Sequence, residues 1–403
     1  MRAQRLRYLF LNIGHFADHL FMLIFAKAAV SAGLGFGLAE NGAYAEMIPY
    51  GIPALVLFGA CAPLAAFIAD YWTRNAMITV FFVGIGAASV ATGFAESPLQ
   101  IGIGLSVIAI FAAIYHPVGM AMVIEGGGRV GWRIGVNGVW GNMGVAAAPL
   151  ITGVILADYN WRLAFILPGL IAIGVGIGFG LFVRSGKAKP PPASAREKSL
   201  VGFAPGWKRA LCALALVSSA GGFVFGALTF IIPRLFEVRM TGITSDIAVT
   251  GALAASVYAV AAFAQLVVGR LVDRHPVKPI LFVVAVCQAA LVFVMSMQVD
   301  YLLFVAALLS MTFVFGQIPI TDAVLSRYVP DAWRAKVLSV KFLLNIGVGA
   351  VSLMTARMIL ASGGGFETVV LVLAIGACFI VLGAFLLPTK SDPAAVSATA
   401  PAA

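Results

Sequence analysis

Hydrophobic residues fall in twelve long stretches separated by short polar connections. The first six lie at about 8–35, 44–69, 76–95, 99–123, 134–157 and 160–183. The second six lie at about 207–236, 246–271, 278–298, 300–325, 335–358 and 364–388. A helix needs about 20 apolar residues to cross a bilayer, so each stretch predicts one spanning helix. Barrel strands would be about 10 residues long and alternate apolar with polar, and these runs do not alternate. The expected fold is an all-α membrane protein, with twelve transmembrane helices in two six-helix halves. The expected divisions are a bundle over 1–183, a linker over 184–206, a second bundle over 207–388 and a disordered tail over 389–403. The linker holds Lys187, Lys189, Pro190, Pro191, Pro192, Arg196 and Lys198, a composition that spaces domains without folding. The tail is rich in Ala, Ser and Pro.

Composition agrees with a chain dissolved in lipid. It is 62% hydrophobic and 10% charged, with a mean hydropathy of +1.03. Soluble proteins run near 45–50% apolar and about 25% charged. A soluble enzyme, a disordered chain and a secreted disulfide scaffold are excluded. Cys61, Cys212, Cys287 and Cys378 all lie inside apolar runs without CxxC spacing, so they read as packing residues. The net charge of +10 does not imply nucleic acid, because the bases are spread over short loops. With the N-terminus placed inside, only Lys27, Arg162, Arg234, Arg239 and Arg357 of the 26 Lys and Arg fall outside. By the positive-inside rule, both termini and the linker are expected in the cytoplasm, in a multi-pass inner-membrane protein. No short apolar segment with a small-residue cleavage site precedes the first span, which reads as uncleaved.

The halves repeat weakly. The connection after span two reads Asp70-Tyr-Trp-Thr-Arg74, and the one after span eight reads Gly269-Arg-Leu-Val-Asp273-Arg274. The connections after spans four and ten carry Trp132-Arg133 and Trp333-Arg334, followed by Asn142-Met-Gly144 and Asn345-Ile-Gly347. With these features the chain resembles the major facilitator superfamily over about 8–388. The family signature after span two is G-x-x-x-D-R/K-x-G-R-K/R. Gly269, Asp273 and Arg274 fit it, while the first copy departs, with Ala66 for the Gly and Tyr71 for the base. The resemblance implies a gating latch in which Asp70 and Asp273 face a helix N-terminus and nearby arginines such as Arg74. A carboxylate is favourable at such a terminus.

Gly135, Gly144, Ala148, Pro149, Thr152 and Gly153 fall on the spacing of the family's antiporter motif, G-x8-G-x3-G-P-x2-G-G. Small residues let helices approach closely and Pro bends them. Gly135, Gly144, Pro149 and Gly153 are therefore expected to pack helices, and family members with the motif are mostly exporters. Asn12-Ile-Gly-His15-Phe-Ala-Asp18 in span one and Tyr115-His116-Pro117 in span four resemble the fosmidomycin-resistance branch.

Ionisable groups inside a span are costly, so they are functional candidates. Asn12, His15 and His19 share one helix face, with Asp18 on its flank. Histidine titrates near physiological pH. His15, Asp18, His19 and His116 are thus the expected proton-coupling groups. Pro117 is expected to bend span four beside His116. Expected cavity residues are Asn12, Tyr115, Asn137, Trp140, Asn142, Tyr258, Gln265, Gln317, Lys341 and Asn345. Asp322 in span ten is expected to pair with Lys341 near the inner gate. No Walker A sequence or Ser–His–Asp signature is present, and no nucleophile or metal constellation beyond the His–Asp cluster, so neither enzyme chemistry nor a cofactor is expected. The expected function is proton-coupled export of a small organic molecule by a monomer. Proton symport of an organic anion through Lys341 or Lys27 is the alternative, and a non-transporting scaffold or receptor is the alternative of another class.

Overall fold

The computed structural model describes residues 2–125, 130–186 and 202–389. Arg129, the stretch 187–201, Lys390 and the rest of the tail, and the side chain of Asp70, lie outside the described residues. Among the described residues every regular element is a helix, and twelve helices are long and apolar enough to span a membrane. Spans one to six are Ala3–Gly35, Glu40–Ala69, Arg74–Thr92, Pro98–Glu125, Trp132–Asp158 and Trp161–Arg184. Spans seven to twelve are Trp207–Arg239, Ile247–Arg274, Val277–Ser296, Asp300–Tyr328, Lys336–Ala361 and Phe366–Leu386.

Polar residues in the short connections set several helix starts. Thr73 accepts a hydrogen bond from the Ala76 amide at 3.1 Å, and Asn160 accepts one from Arg162 at 3.1 Å. Asp246 accepts two, from Ala248 at 2.7 Å and Val249 at 3.0 Å. Each satisfies amides that have no partner inside the helix. Span one starts earlier than the apolar pattern indicates, because Arg5 and Arg7 continue the helix past the apolar run.

Span four is not uniform. It widens into a π-type turn over Tyr115–Gly119. Pro117 has no N–H to donate and its ring crowds the preceding carbonyls, which favours the wider turn. Span eight is interrupted at Phe263, between helical segments Ile247–Ala262 and Ala264–Arg274. No Pro or Gly marks that break in the sequence.

The chain enters and leaves the bundle on one side, here the terminal side; the opposite is the far side. Span one packs on span five, and span seven packs on span eleven. Both contacts rest on a glycine. A side chain at Gly144 would strike the Phe16 carbonyl, and one at Gly222 would strike that of Asn345. A Cβ at Gly153 would meet the Ile247 carbonyl at 2.9 Å, and one at Gly251 would strike the Pro149 carbonyl. Spans five and eight therefore touch backbone to backbone. Gly144, Pro149 and Gly153 all lie at these contacts. Gly135 differs, since its Cβ would meet only Leu266, at an ordinary 3.6 Å.

Large apolar side chains such as Leu64, Phe67, Ile171 and Leu181 face outward. Patches of that extent are abnormal for a soluble surface and normal against lipid. Tyr159 and Tyr301 at the far side, with Tyr71, Trp72, Trp132 and Trp333 at the terminal side, are also exposed. They form aromatic belts at the two ends of the bundle.

Candidate functional site

The polar residues of span one point into the bundle. Asp18 is fully buried, and Asn12 and His15 nearly so. Asn137 of span five anchors them. Its carbonyl lies 2.8 Å from His15 Nδ1, and its side-chain amide donates to Asn12 Oδ1 at 2.9 Å and to the Tyr115 hydroxyl at 2.9 Å. Tyr115 in turn donates to the Leu11 carbonyl at 2.6 Å, and its ring stacks on His15 with centroids 5.0 Å apart. A carbonyl only accepts, so His15 Nδ1 carries the proton and Nε2 faces the cluster with a lone pair.

The π-type turn then brings His116 to the same place. Its ring lies edge-on to His15 and His19, with centroids at 5.3 and 5.5 Å. His19 Nε2 is 3.2 Å from His15 Nε2. His116 Nε2 is 3.3 Å from Asp18 Oδ2, yet neither oxygen of Asp18 has a hydrogen-bond partner of acceptable geometry. Three of the four histidines of the chain thus come together, and one of them, His116, reaches a buried carboxyl. His19 and His116 keep partial exposure, so the cluster is not sealed. Phe58 of span two and Phe342 of span eleven flank His116, with centroids at 5.8 and 5.1 Å. The cluster therefore touches both sets of six spans.

Other expected cavity residues divide. Gln317 donates to the Val217 carbonyl at 3.3 Å and Asn345 to that of Ser218 at 3.2 Å, so both brace span seven. Lys341 pairs with Asp322 at 2.5 Å across spans ten and eleven, as the sequence indicates. Trp140 and Gln265 are partly exposed, and Gln265 lies against Gly138. Asn142 is buried with its amide nitrogen unpartnered. Tyr258 is not a cavity residue. It is fully buried, and its hydroxyl is held by the carbonyls of Leu228 and Thr229 at 3.3 and 3.1 Å, which fasten span eight to span seven. Tyr115 and Asn12 are likewise engaged inside the bundle and support the histidines instead of lining open space.

The terminal-side gate also differs from expectation. Arg74 pairs with Glu125 at the end of span four, and the same carboxylate takes Arg7 at 3.0 Å. Glu125 carries no motif or spacing that marks it in the sequence. Asp273 and Arg274 are exposed at the end of span eight and make no ion pair among the described residues. The connection is held by Arg327, which donates to the Val272 carbonyl at 2.5 Å. Gly269 has open space around it.

The far side is closed by a buried group that the sequence did not assemble. Lys27 pairs with Glu237 of span seven at 2.5 Å and donates to Thr250 of span eight at 3.0 Å. Arg234 takes the other oxygen of Glu237 at 2.7 Å. Tyr44 of span two lies beside Phe230 of span seven and Phe366 of span twelve. Lys27 is thus part of a far-side seal.

The sequence profile of the Major Facilitator Superfamily matches residues 9–340. The chain belongs to the major facilitator superfamily. Its fold is similar to that of a bacterial homolog of the human lysosomal transporter Spinster, solved in an inward-facing, unoccupied conformation. That match has a TM-score of 0.73 and 16% identity, covering 95% of this chain and 97% of the other. It is similar also to a D-xylose–proton symporter, with a TM-score of 0.73 and 14% identity over 96% and 97% of the two chains. The inward-open xylose transporter of E. coli matches with a TM-score of 0.70 and 13% identity over 97% and 98%. At such identities the likeness shows the shared fold. As a major facilitator protein the chain is a membrane transporter of small molecules and not an enzyme.

Proposed function

We propose that this major facilitator protein exports a small organic molecule in exchange for protons, by alternating access, from the cytoplasm across an inner membrane. The observation that carries the reading is Asp18: a fully buried carboxyl paired only with His116, at 3.3 Å among the described residues, within the span that holds His15 and His19. An uncompensated carboxylate is expensive in such a place. The group is cheaper as a neutral acid, or as a carboxylate beside a protonated imidazole, and moving between those forms is what proton coupling requires. His116 touches Phe342, so a change at the cluster reaches the second set of spans directly.

The asymmetry of the bases supports cytoplasmic termini, which makes the seal at Lys27, Glu237 and Thr250 periplasmic. The structure then corresponds to a state closed toward the outside. The close contact of spans five and eight at Gly153 and Gly251 supports export, because it is built on the antiporter-like stripe. Uptake of an organic anion through Lys27 or Lys341 is disfavoured, since each ammonium already holds a carboxylate at 2.5 Å.

The test is purified protein in liposomes with a pH-sensitive dye inside and a pool of candidate substrates outside. Substrate should drive protons in the opposite direction, and Asp18→Asn should reduce that coupling at least tenfold. Proton movement in the same direction as substrate would overturn export. Full coupling in both Asp18→Asn and His116→Ala would overturn the site.

A further inference from the structure

We propose that His15, His19 and His116 form a three-imidazole binding site for a borderline divalent transition-metal cation of the zinc type, with the fourth position left to water. The inference uses the cluster of the preceding section but does not depend on proton coupling.

Geometry makes the first case. Four ligands at about 2.0–2.1 Å around a tetrahedral zinc are separated by about 3.4 Å. His15 Nε2 and His19 Nε2 stand 3.2 Å apart, and His116 Nε2 and Asp18 Oδ2 stand 3.3 Å apart. The first distance is one edge of such a tetrahedron, and the second sets a carboxylate beside the third imidazole. The three imidazole nitrogens lie within 4.8 Å of one another, so His116 needs to close on the other two by about an ångström. The side chain of His116 is 25% exposed.

The surroundings make the second case. A metal-binding histidine characteristically donates its other ring N–H to a carbonyl or carboxylate, which fixes the tautomer and aims the free nitrogen. His15 has that arrangement with the Asn137 carbonyl at 2.8 Å. The carbonyl is itself held in place, since the Asn137 side chain is bonded to Asn12 and Tyr115. Gly141 supplies the space for the His15 ring, because a Cβ there would lie 2.6 Å from Nε2. Asp18, with Oδ2 3.3 Å from His116 Nε2, sets a buried carboxylate beside the imidazoles, and its charge favours a cation there. Imidazole nitrogens favour zinc, nickel, cobalt and copper over magnesium or calcium, which take oxygen ligands. His15 and His19 come from span one and His116 from span four, so a bound cation would staple these two spans.

The experiment is cobalt titration of the purified, metal-free, full-length protein with its affinity tag removed. Cobalt(II) in a tetrahedral site gives strong visible bands, which an octahedral surface adduct lacks. One cobalt per chain should bind with those bands, and equimolar zinc should bleach them while magnesium does not. His19→Ala and His116→Asn should each weaken cobalt binding at least tenfold. His275→Ala, which removes the exposed fourth histidine, should leave it unchanged. Monodisperse elution and an unaltered melting curve of the metal-free variants exclude misfolding as the cause. Absence of the tetrahedral bands, or full binding in both cluster variants, overturns the proposal. The liposome assay separates the two readings. Cobalt binding without substrate-driven proton flux leaves the metal site and removes proton coupling, and flux without cobalt binding does the reverse.

Discussion

Among individual residues, Lys27 carries the clearest energetic consequence. Its ammonium is fully buried between Glu237 and Thr250. Lys27→Met leaves Glu237 with Arg234 alone, and breaking a buried pair costs about 3–5 kcal/mol. The retained Arg234 places the expected cost near the lower end. A drop in melting temperature checks this, together with faster thiol labelling of a Thr250→Cys reporter as the far side loosens. Lys27→Met combined with Glu237→Gln should recover part of the loss. The span-one cluster was legible in the sequence because His15, Asp18 and His19 follow helical spacing. His116 was legible only through its place in span four, nearly a hundred residues away. Glu125 and Glu237 were not legible at all, because a salt bridge between distant helices leaves no local pattern. Tyr258 was misread for a related reason. Its partners are backbone carbonyls, which every sequence contains.

Individual elements show how small residues set the helix contacts. Gly144→Ala forces a Cβ against the Phe16 carbonyl, which is backbone and has nowhere to go. Overpacking of this kind costs about 1–3 kcal/mol, and a thermal melt in detergent should show it. Gly178→Ala in span six meets nothing within 4 Å. It should hold or slightly raise the melting temperature by restricting the unfolded chain. The twelve spans were readable from hydropathy, since unbroken apolar runs of this length admit few other structures. The break at Phe263 was not, because it arises in a run of Ala and apolar residues with no breaker. The widening of span four was half readable: Pro117 announced a bend, not a π-type turn.

For the molecule as a whole, orientation is directly testable. Tyr159 and Tyr301 stand exposed at the far side and Trp132 at the terminal side. In intact cells a membrane-impermeant thiol reagent should label Tyr159→Cys and Tyr301→Cys but not Trp132→Cys. The reverse pattern would invert the assigned direction of transport. The turn at Tyr115–Gly119 has a consequence at this scale too. It behaves as a dislocation does in a crystal: one surplus residue, accommodated locally, with regular lattice on either side. Relaxing it into α-helix would turn one part of span four against the other by about 100° and slide it about 1.5 Å. His116 lies on that dislocation, touching Asp18 in its own half and Phe342 in the other.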